Sequence, residues 1–157
     1  MAATALVTGL SGFTGHYLAR ELEALGYEVH GLGQGSSAAA HFHSVDLRDL
    51  ERLTRVVTTI QPEVVVHLAA IAFVAHGDAS DIYSSNIVGS RNLLAALAAC
   101  DRPPQKVLLA SSANVYGNAA VEVLDESCPA QPANDYAVSK YAMELMSRHW
   151  LETLPII

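Results

Sequence analysis

Short apolar runs rich in β-branched residues alternate along the chain with longer stretches of helical periodicity. Strands are predicted at Ala5 to Thr8, Tyr27 to Leu32, Phe42 to Val45, Val64 to Leu68 and Lys106 to Ala110. Helices are predicted from about Gly12 to Leu25, Leu50 to Thr59, about Ile82 to Ala99, and Tyr136 to Thr153. Runs such as Val64-Val65-Val66 lack the alternation of a half-solvated strand, so both faces of the sheet should be covered. The expected fold class is therefore α/β, a doubly wound parallel sheet between helix layers. Small residues and prolines mark Gly33 to Ala40 and Asn118 to Ala133 as loops. Pro155-Ile156-Ile157 reads as the opening of a further strand, and the expectation is one domain, 1–157, cut short before the sheet is complete.

Composition narrows the class. The 157 residues are 51% hydrophobic and 16% charged, which excludes a disordered chain. A net charge of −7 argues against general attraction to nucleic acid or to an anionic membrane. Cys100 and Cys128 have no close-spaced partner, so no disulfide framework or zinc knuckle is expected, and a reducing cytoplasm fits. The first fifteen residues lack a basic n-region, and no apolar stretch is long enough to span a bilayer.

The first strand runs into Gly9-Leu10-Ser11-Gly12-Phe13-Thr14-Gly15, three glycines three apart at a strand-to-helix turn. Such a turn lets the backbone approach a pyrophosphate, while the helix N-terminus offers free N–H groups to it. This predicts a dinucleotide site, and with it an NAD(P)-binding Rossmann fold. The second strand ends Gly31-Leu32-Gly33-Gln34, without the carboxylate that would bond an adenosine ribose and repel a 2′-phosphate. Neutral Gln34, Ser36 and Ser37 therefore favour NADP(H) over NAD(H). Asp46, followed by Leu47, is a candidate for the adenine amino group or else a helix N-cap.

Tyr136 and Lys140 stand four apart in a helical pattern, hence on one face. Val138, Ala142, Leu145 and Met146 supply an apolar stripe on another side, which should free the pair to face a cleft. A phenol carries protons poorly near neutrality until a cation favours its phenolate. One charge at about 4 Å, at an effective dielectric near 20, is worth about 4 kcal/mol. Ser111 and Ser112 follow a predicted strand, at the carboxyl edge where parallel sheets bind ligands. Each of these residues also has a plain structural reading, as a surface pair or as turn formers.

Taken together the motifs resemble those of the extended short-chain dehydrogenase/reductase family. The resemblance rests on Thr8 to Gly15, Val66-His67-Leu68-Ala69-Ala70, Asn86 to Ser90, Ser111 to Gly117, and Asp125-Glu126 through Pro129, Tyr136, Ser139 and Lys140. It implies a sugar-nucleotide enzyme in which Tyr136 is the general acid/base, Lys140 favours the phenolate and bonds the nicotinamide ribose, and Ser112 holds the reacting oxygen. Cofactor binding would fall to Gly9, Ser11, Gly12, Phe13, Thr14, Gly15, Asp46, Leu47, Leu68, Ala69, Ala70, Ser111, Tyr136 and Lys140. Asn86 would support a proton path through water.

Ala113-Asn114 follows the serines where dehydratases carry a carboxylate, which disfavours dehydration. The glycine loop together with Ile71-Ala72-Phe73-Val74 is most similar to reductases that convert GDP-4-keto-6-deoxymannose to GDP-rhamnose. UDP-hexose 4-epimerase and a non-catalytic dinucleotide-binding module are the alternatives. The resemblance also implies a homodimer through the helices starting near Asn86 and Tyr136, and a C-terminal substrate segment absent here. The expectation is thus cofactor affinity with little turnover for these residues alone. His41, His43 and His67 raise a metal hypothesis, but no cysteine or clustered carboxylate completes a shell in the sequence, so no metal is expected.

Overall fold

The computed structural model describes residues 2–72 and 78–157. Five parallel strands, β1 (Thr4–Thr8), β2 (Glu28–Gly33), β3 (Phe42–Ser44), β4 (Val64–His67) and β5 (Lys106–Leu109), lie in the order β3-β2-β1-β4-β5. This is the doubly wound parallel sheet the apolar runs imply. The direction of winding reverses between β1 and β4, so a crevice opens above their carboxyl ends.

Alternation along β1 divides the core. Leu6 joins Leu32, Val65 and Val107 under α2 (Leu50–Ile60) and α4 (Ser90–Ala98), which contribute Leu53, Val57, Leu93, Leu94 and Leu97. Ala5 and Val7 join Val29 on the other face under α1 (Phe13–Ala24), which supplies Ala19. Ala96 belongs to the first core and Ala98 packs against it.

The helix expected over 82–99 runs from 80 to 98 and is not uniform. A short α3 (Ser80–Tyr83) passes into a π-helical stretch, Ser84–Gly89, and then into α4. Inside it the Ser90 hydroxyl donates to the Asn86 carbonyl at 2.6 Å, a side chain entering the backbone ladder where the turn widens. The last helix, α5 (Asp135–Ser147), stops six residues short of the expected Thr153. A 3₁₀ turn at Arg148–Trp150 follows, and Leu154 N–H bonds the Trp150 carbonyl as Leu154 enters the core. Pro155 then favours extended backbone. The strand opening expected there is present: Ile157 N–H bonds the Val107 carbonyl and Ile156 bridges Val107 in parallel. Phe73 and Val74 lie outside the described residues.

Candidate active site

The loop after β1 is shaped by what its glycines lack. Gly9 holds φ +71°, and a Cβ there would lie 2.8 Å from the Ala69 amide nitrogen. Gly15, buried in the first turn of α1, would press a Cβ to 2.7 Å from Leu10 Cα. The first position lets β1 lie against the end of β4, and the second lets α1 sit down on its own loop. Gly12 caps α1 without a side-chain acceptor, and no acidic residue stands in the first turn. The amides at Phe13, Thr14 and Gly15 are therefore left without a capping side chain, a position suited to an anion. This cradle fits a pyrophosphate.

Above it lies a crevice of about 320 Å³ lined by Gly9, Ser11, Gly12, Asp46, Leu47, Leu68, Ala69 and Ala70. The sequence reading missed Val45, Ile71 and Ser85, which also line it beside Gly33 and Gln34. Val45 and Ile71 adjoin the predicted Asp46 and Ala70 in the chain, whereas nothing local marks Ser85, which only the fold brings there. Asp46 is not the N-cap of α2. That place is taken by Asp49, which accepts from Arg52 N–H at 3.0 Å. Asp46 instead accepts from Arg48 Nη2 at 2.7 Å and Nε at 3.0 Å, and these bonds hold its carboxyl below the usual range.

The floor of the crevice is a directional hydrogen-bond chain. Ala69 N–H donates to Thr8 Oγ1 at 3.1 Å, and Thr8 Oγ1 meets His67 Nδ1 at 2.6 Å. On the other side His67 Nε2 meets Ser90 Oγ at 2.8 Å. Because the Ser90 hydroxyl is committed to the Asn86 carbonyl, His67 must donate from Nε2 and accept at Nδ1. Complete burial pushes the His67 pKa down to about 3, with the Lys140 charge adding to the effect. The Asn86 side chain accepts from Ile71 N–H at 2.8 Å and donates to the Ile71 carbonyl at 3.0 Å and Ser139 Oγ at 2.9 Å. It is a buried staple in this structure, rather than a group turned toward water.

On α5 the burial corrects the expectation from sequence. Ala137, Lys140 and Met143 face inward, while Val138 and Leu145 of the apolar stripe are exposed. The reason is the lysine itself: its stem crosses the interior and its ammonium donates to the Ala110 carbonyl at 2.7 Å, at the end of β5. Burial pushes its pKa below the usual lysine range, opposed by the Glu144 charge. The Ser111 hydroxyl donates to the Glu144 carboxylate, tying the end of β5 to α5. Glu144 was missed, although its place one turn after Lys140 could have signalled it. Ser112 caps the 3₁₀ turn Ala113–Tyr116 by accepting from Asn114 N–H at 3.2 Å, which leaves its own proton to donate. Tyr136 is half-buried in the first turn of α5, whose cap is Asn134 accepting from Ala137 N–H at 2.8 Å.

A glycine turn at the winding reversal thus stands in one fold with a lysine bonded at the end of β5, just before Ser111 and Ser112. The profile of the NAD dependent epimerase/dehydratase family matches residues 5–154. The chain belongs to that family. Within it the chain is 34% identical over 142 residues to a GDP-6-deoxy-D-talose 4-dehydrogenase of Aggregatibacter actinomycetemcomitans, covering 88% of this chain and 45% of that protein. A Burkholderia cenocepacia structure described as a candidate epimerase is 49% identical with a TM-score of 0.91, covering 98% of this chain and 52% of the other. Brucella ovis UDP-glucose 4-epimerase, solved with NAD, is 27% identical with a TM-score of 0.88, covering 99% and 50%. The chain spans about half the length of these family members. Among the described residues no helix is long and apolar enough to cross a membrane.

Proposed function

We propose that the whole protein is a sugar-nucleotide oxidoreductase that reduces a 4-keto-6-deoxy sugar nucleotide, GDP-4-keto-6-deoxymannose to GDP-rhamnose, with Tyr136 as proton donor. The observation carrying this reading is the Lys140 ammonium bonded to the Ala110 carbonyl, two residues before Ser112 in the chain, with Tyr136 one helical turn before the lysine. The 4-dehydrogenase relative, by its name, oxidises C4 of a GDP-6-deoxyhexose, the reverse sense of the reduction. Dehydration is disfavoured because the 3₁₀ turn after Ser112 opens Ala113-Asn114, with no carboxylate at the two positions that follow the serine.

When bound, a reduced nicotinamide supplies the hydride to C4. The Ser112 hydroxyl donates a hydrogen bond to the ketone oxygen, and Tyr136 gives that oxygen its proton, so the ketone becomes an alcohol and the phenol a phenolate. Lys140, held at Ala110, offsets that negative charge. Gly9, Ser11, Gly12, Phe13, Thr14 and Gly15 would hold the pyrophosphate, Asp46 and Leu47 the adenine end, and Leu68, Ala69, Ala70 and Ser111 the flank of the nicotinamide half. The absence of a carboxylate at Gly33 and Gln34 supports NADP(H) over NAD(H).

Replacing Tyr136 by Phe in the whole protein should lower turnover by about 10²–10⁴-fold while NADPH affinity changes little. Equal turnover in the variant would move the proton role elsewhere. For the 157 residues alone the expectation is saturable NADPH binding by fluorescence with little turnover, and a folded sample that binds neither NADPH nor NADH would overturn the cofactor reading. A second reading, UDP-hexose 4-epimerase, is favoured by relatives such as Halalkalibacterium halodurans UDP-glucose 4-epimerase, 31% identical over 155 residues. The two separate by stoichiometry: a reductase consumes one NADPH per sugar, whereas an epimerase consumes none. The outward Val88, Val138 and Leu145 support pairing of two copies through the helices that begin near Asn86 and Tyr136, which sedimentation equilibrium of the whole protein would test.

A further inference from the structure

The edge of the sheet away from β5 gathers imidazoles. Glu28 and His30 stand two apart on β2, so they share a face, and His41 and His43 stand two apart at the start of β3. Parallel pairing of Gly31 with Phe42 sets His30 between the other two rings: its centroid lies 4.9 Å from that of His41 and 5.3 Å from that of His43. A carboxylate that the reading of His41, His43 and His67 did not include stands here, with Glu28 Oε1 lying 2.8 Å from His30 Nε2. No motif search along the chain would pair them, since Glu28 and His41 meet only through strand register.

We propose that Glu28, His30 and His41 form a binding site for a borderline divalent transition ion such as Zn²⁺. One donor atom from each of the three lies within 4.8 Å of the others. Tetrahedral coordination at roughly 2.0–2.2 Å from N and O ligands needs donor separations of about 3.4 Å. Glu28 and His41 are exposed and can turn inward by that amount, while His30, 13% exposed, is the fixed member. Nitrogen-rich donors with one carboxylate favour Zn²⁺, Co²⁺ or Ni²⁺ over Ca²⁺ or Mg²⁺, which prefer all-oxygen shells.

The geometry behind His30 supports the assignment independently. Its second ring nitrogen, Nδ1, lies 3.0 Å from His43 Nε2. A metal-bound imidazole ordinarily gives its other N–H to an acceptor that fixes the ring, and His43 occupies that place. The ion would take the position of the Nε2 proton, with the ring proton on Nδ1 donated to His43. Three protein donors leave the fourth position to water. The cleft between α1 and residues 37–41, on which Glu28 and His41 open, gives that water a way in. Such an ion would join β2 to the residue that opens β3 and so close the loop that begins at Gln34 beside the crevice.

The test uses the tag-free chain, stripped with EDTA, dialysed free of chelator and titrated calorimetrically with ZnCl₂. One saturable equivalent is expected. Glu28→Gln and His41→Ala should each weaken it by about tenfold or more, with His149→Ala as a neutral control. With CoCl₂ in place of zinc, the visible absorption should have the intensity of a four-coordinate ion and should fall in both variants. Circular dichroism checks the fold, and should His41→Ala unfold, Glu28→Gln decides alone because it changes one exposed atom. Absence of a saturable equivalent, or an affinity unchanged in Glu28→Gln, would overturn the site. Neither readout depends on catalysis, so failure here leaves the oxidoreductase reading untouched.

Discussion

Two glycines of the crevice have opposite tolerances. At Gly33 a Cβ would meet only the Phe42 ring, at 3.6 and 3.8 Å, so a side chain fits without displacing backbone. Gly33→Asp should therefore fold normally and place a carboxylate where the proposed cofactor reading puts a 2′-phosphate. NADPH affinity should drop about tenfold or more relative to NADH, or about 1.4 kcal/mol per factor of ten, read by fluorescence titration of both cofactors. An unchanged ratio would mean that the end of β2 does not meet the adenosine ribose. Gly9→Ala should instead fail, since φ +71° and the 2.8 Å approach to Ala69 leave no room. A loss of at least about 1–2 kcal/mol in urea unfolding, with weaker NADPH binding, is expected. Sequence spacing alone pointed to the glycine loop, because missing β-carbons at a strand-to-helix turn have few other uses. It misjudged the surroundings of Lys140, because a charged residue deep in a helix face reads as exposed unless its carbonyl partner, Ala110, is known to lie beneath it.

At the scale of elements, periodicity located every strand and major helix but not the change of pitch at Ser84–Gly89. A π turn depends on where side chains intrude, and the intruding Ser90 hydroxyl is one of many serines until its partners are seen. The widened turn carries Asn86, whose amide fastens the segment after β4 to α5 through Ile71 and Ser139. Asn86→Ala would strip the partners from both backbone groups of Ile71. Because Ile71 is half-buried, the expected cost is at most about 1–3 kcal/mol for a group left unpaired, measurable as a lower urea midpoint. An unchanged midpoint would show that water replaces the amide there. The early end of α5 was illegible for a related reason: helical propensity continues past Ser147, while the burial of Leu154 just before Pro155 depends on the fold.

For the molecule as a whole, acid should act through His67. Its folded pKa of about 3 lies below the ordinary 6.5, so the unfolded chain binds this proton first as pH falls. The stability tied to the neutral ring is complete above about pH 6.5 and is lost progressively down to about pH 3. Urea midpoints should decline across that window, and His67→Gln should flatten the decline; an equal slope in the variant would assign it to carboxylates instead. Asp46, held low by Arg48, contributes in the same direction at lower pH.

Among the described residues α2, α4 and α5 share one side of the sheet, and α1 covers the other. The same helix presents the amides of the anion cradle through its first turn. Lifting it would dismantle the phosphate seat and uncover Ala5 and Val7 in a single event. A dinucleotide gripping that helix end would thus act as a latch, and deuterium uptake at the β1 amides should slow when NADPH is added, without any change at α2.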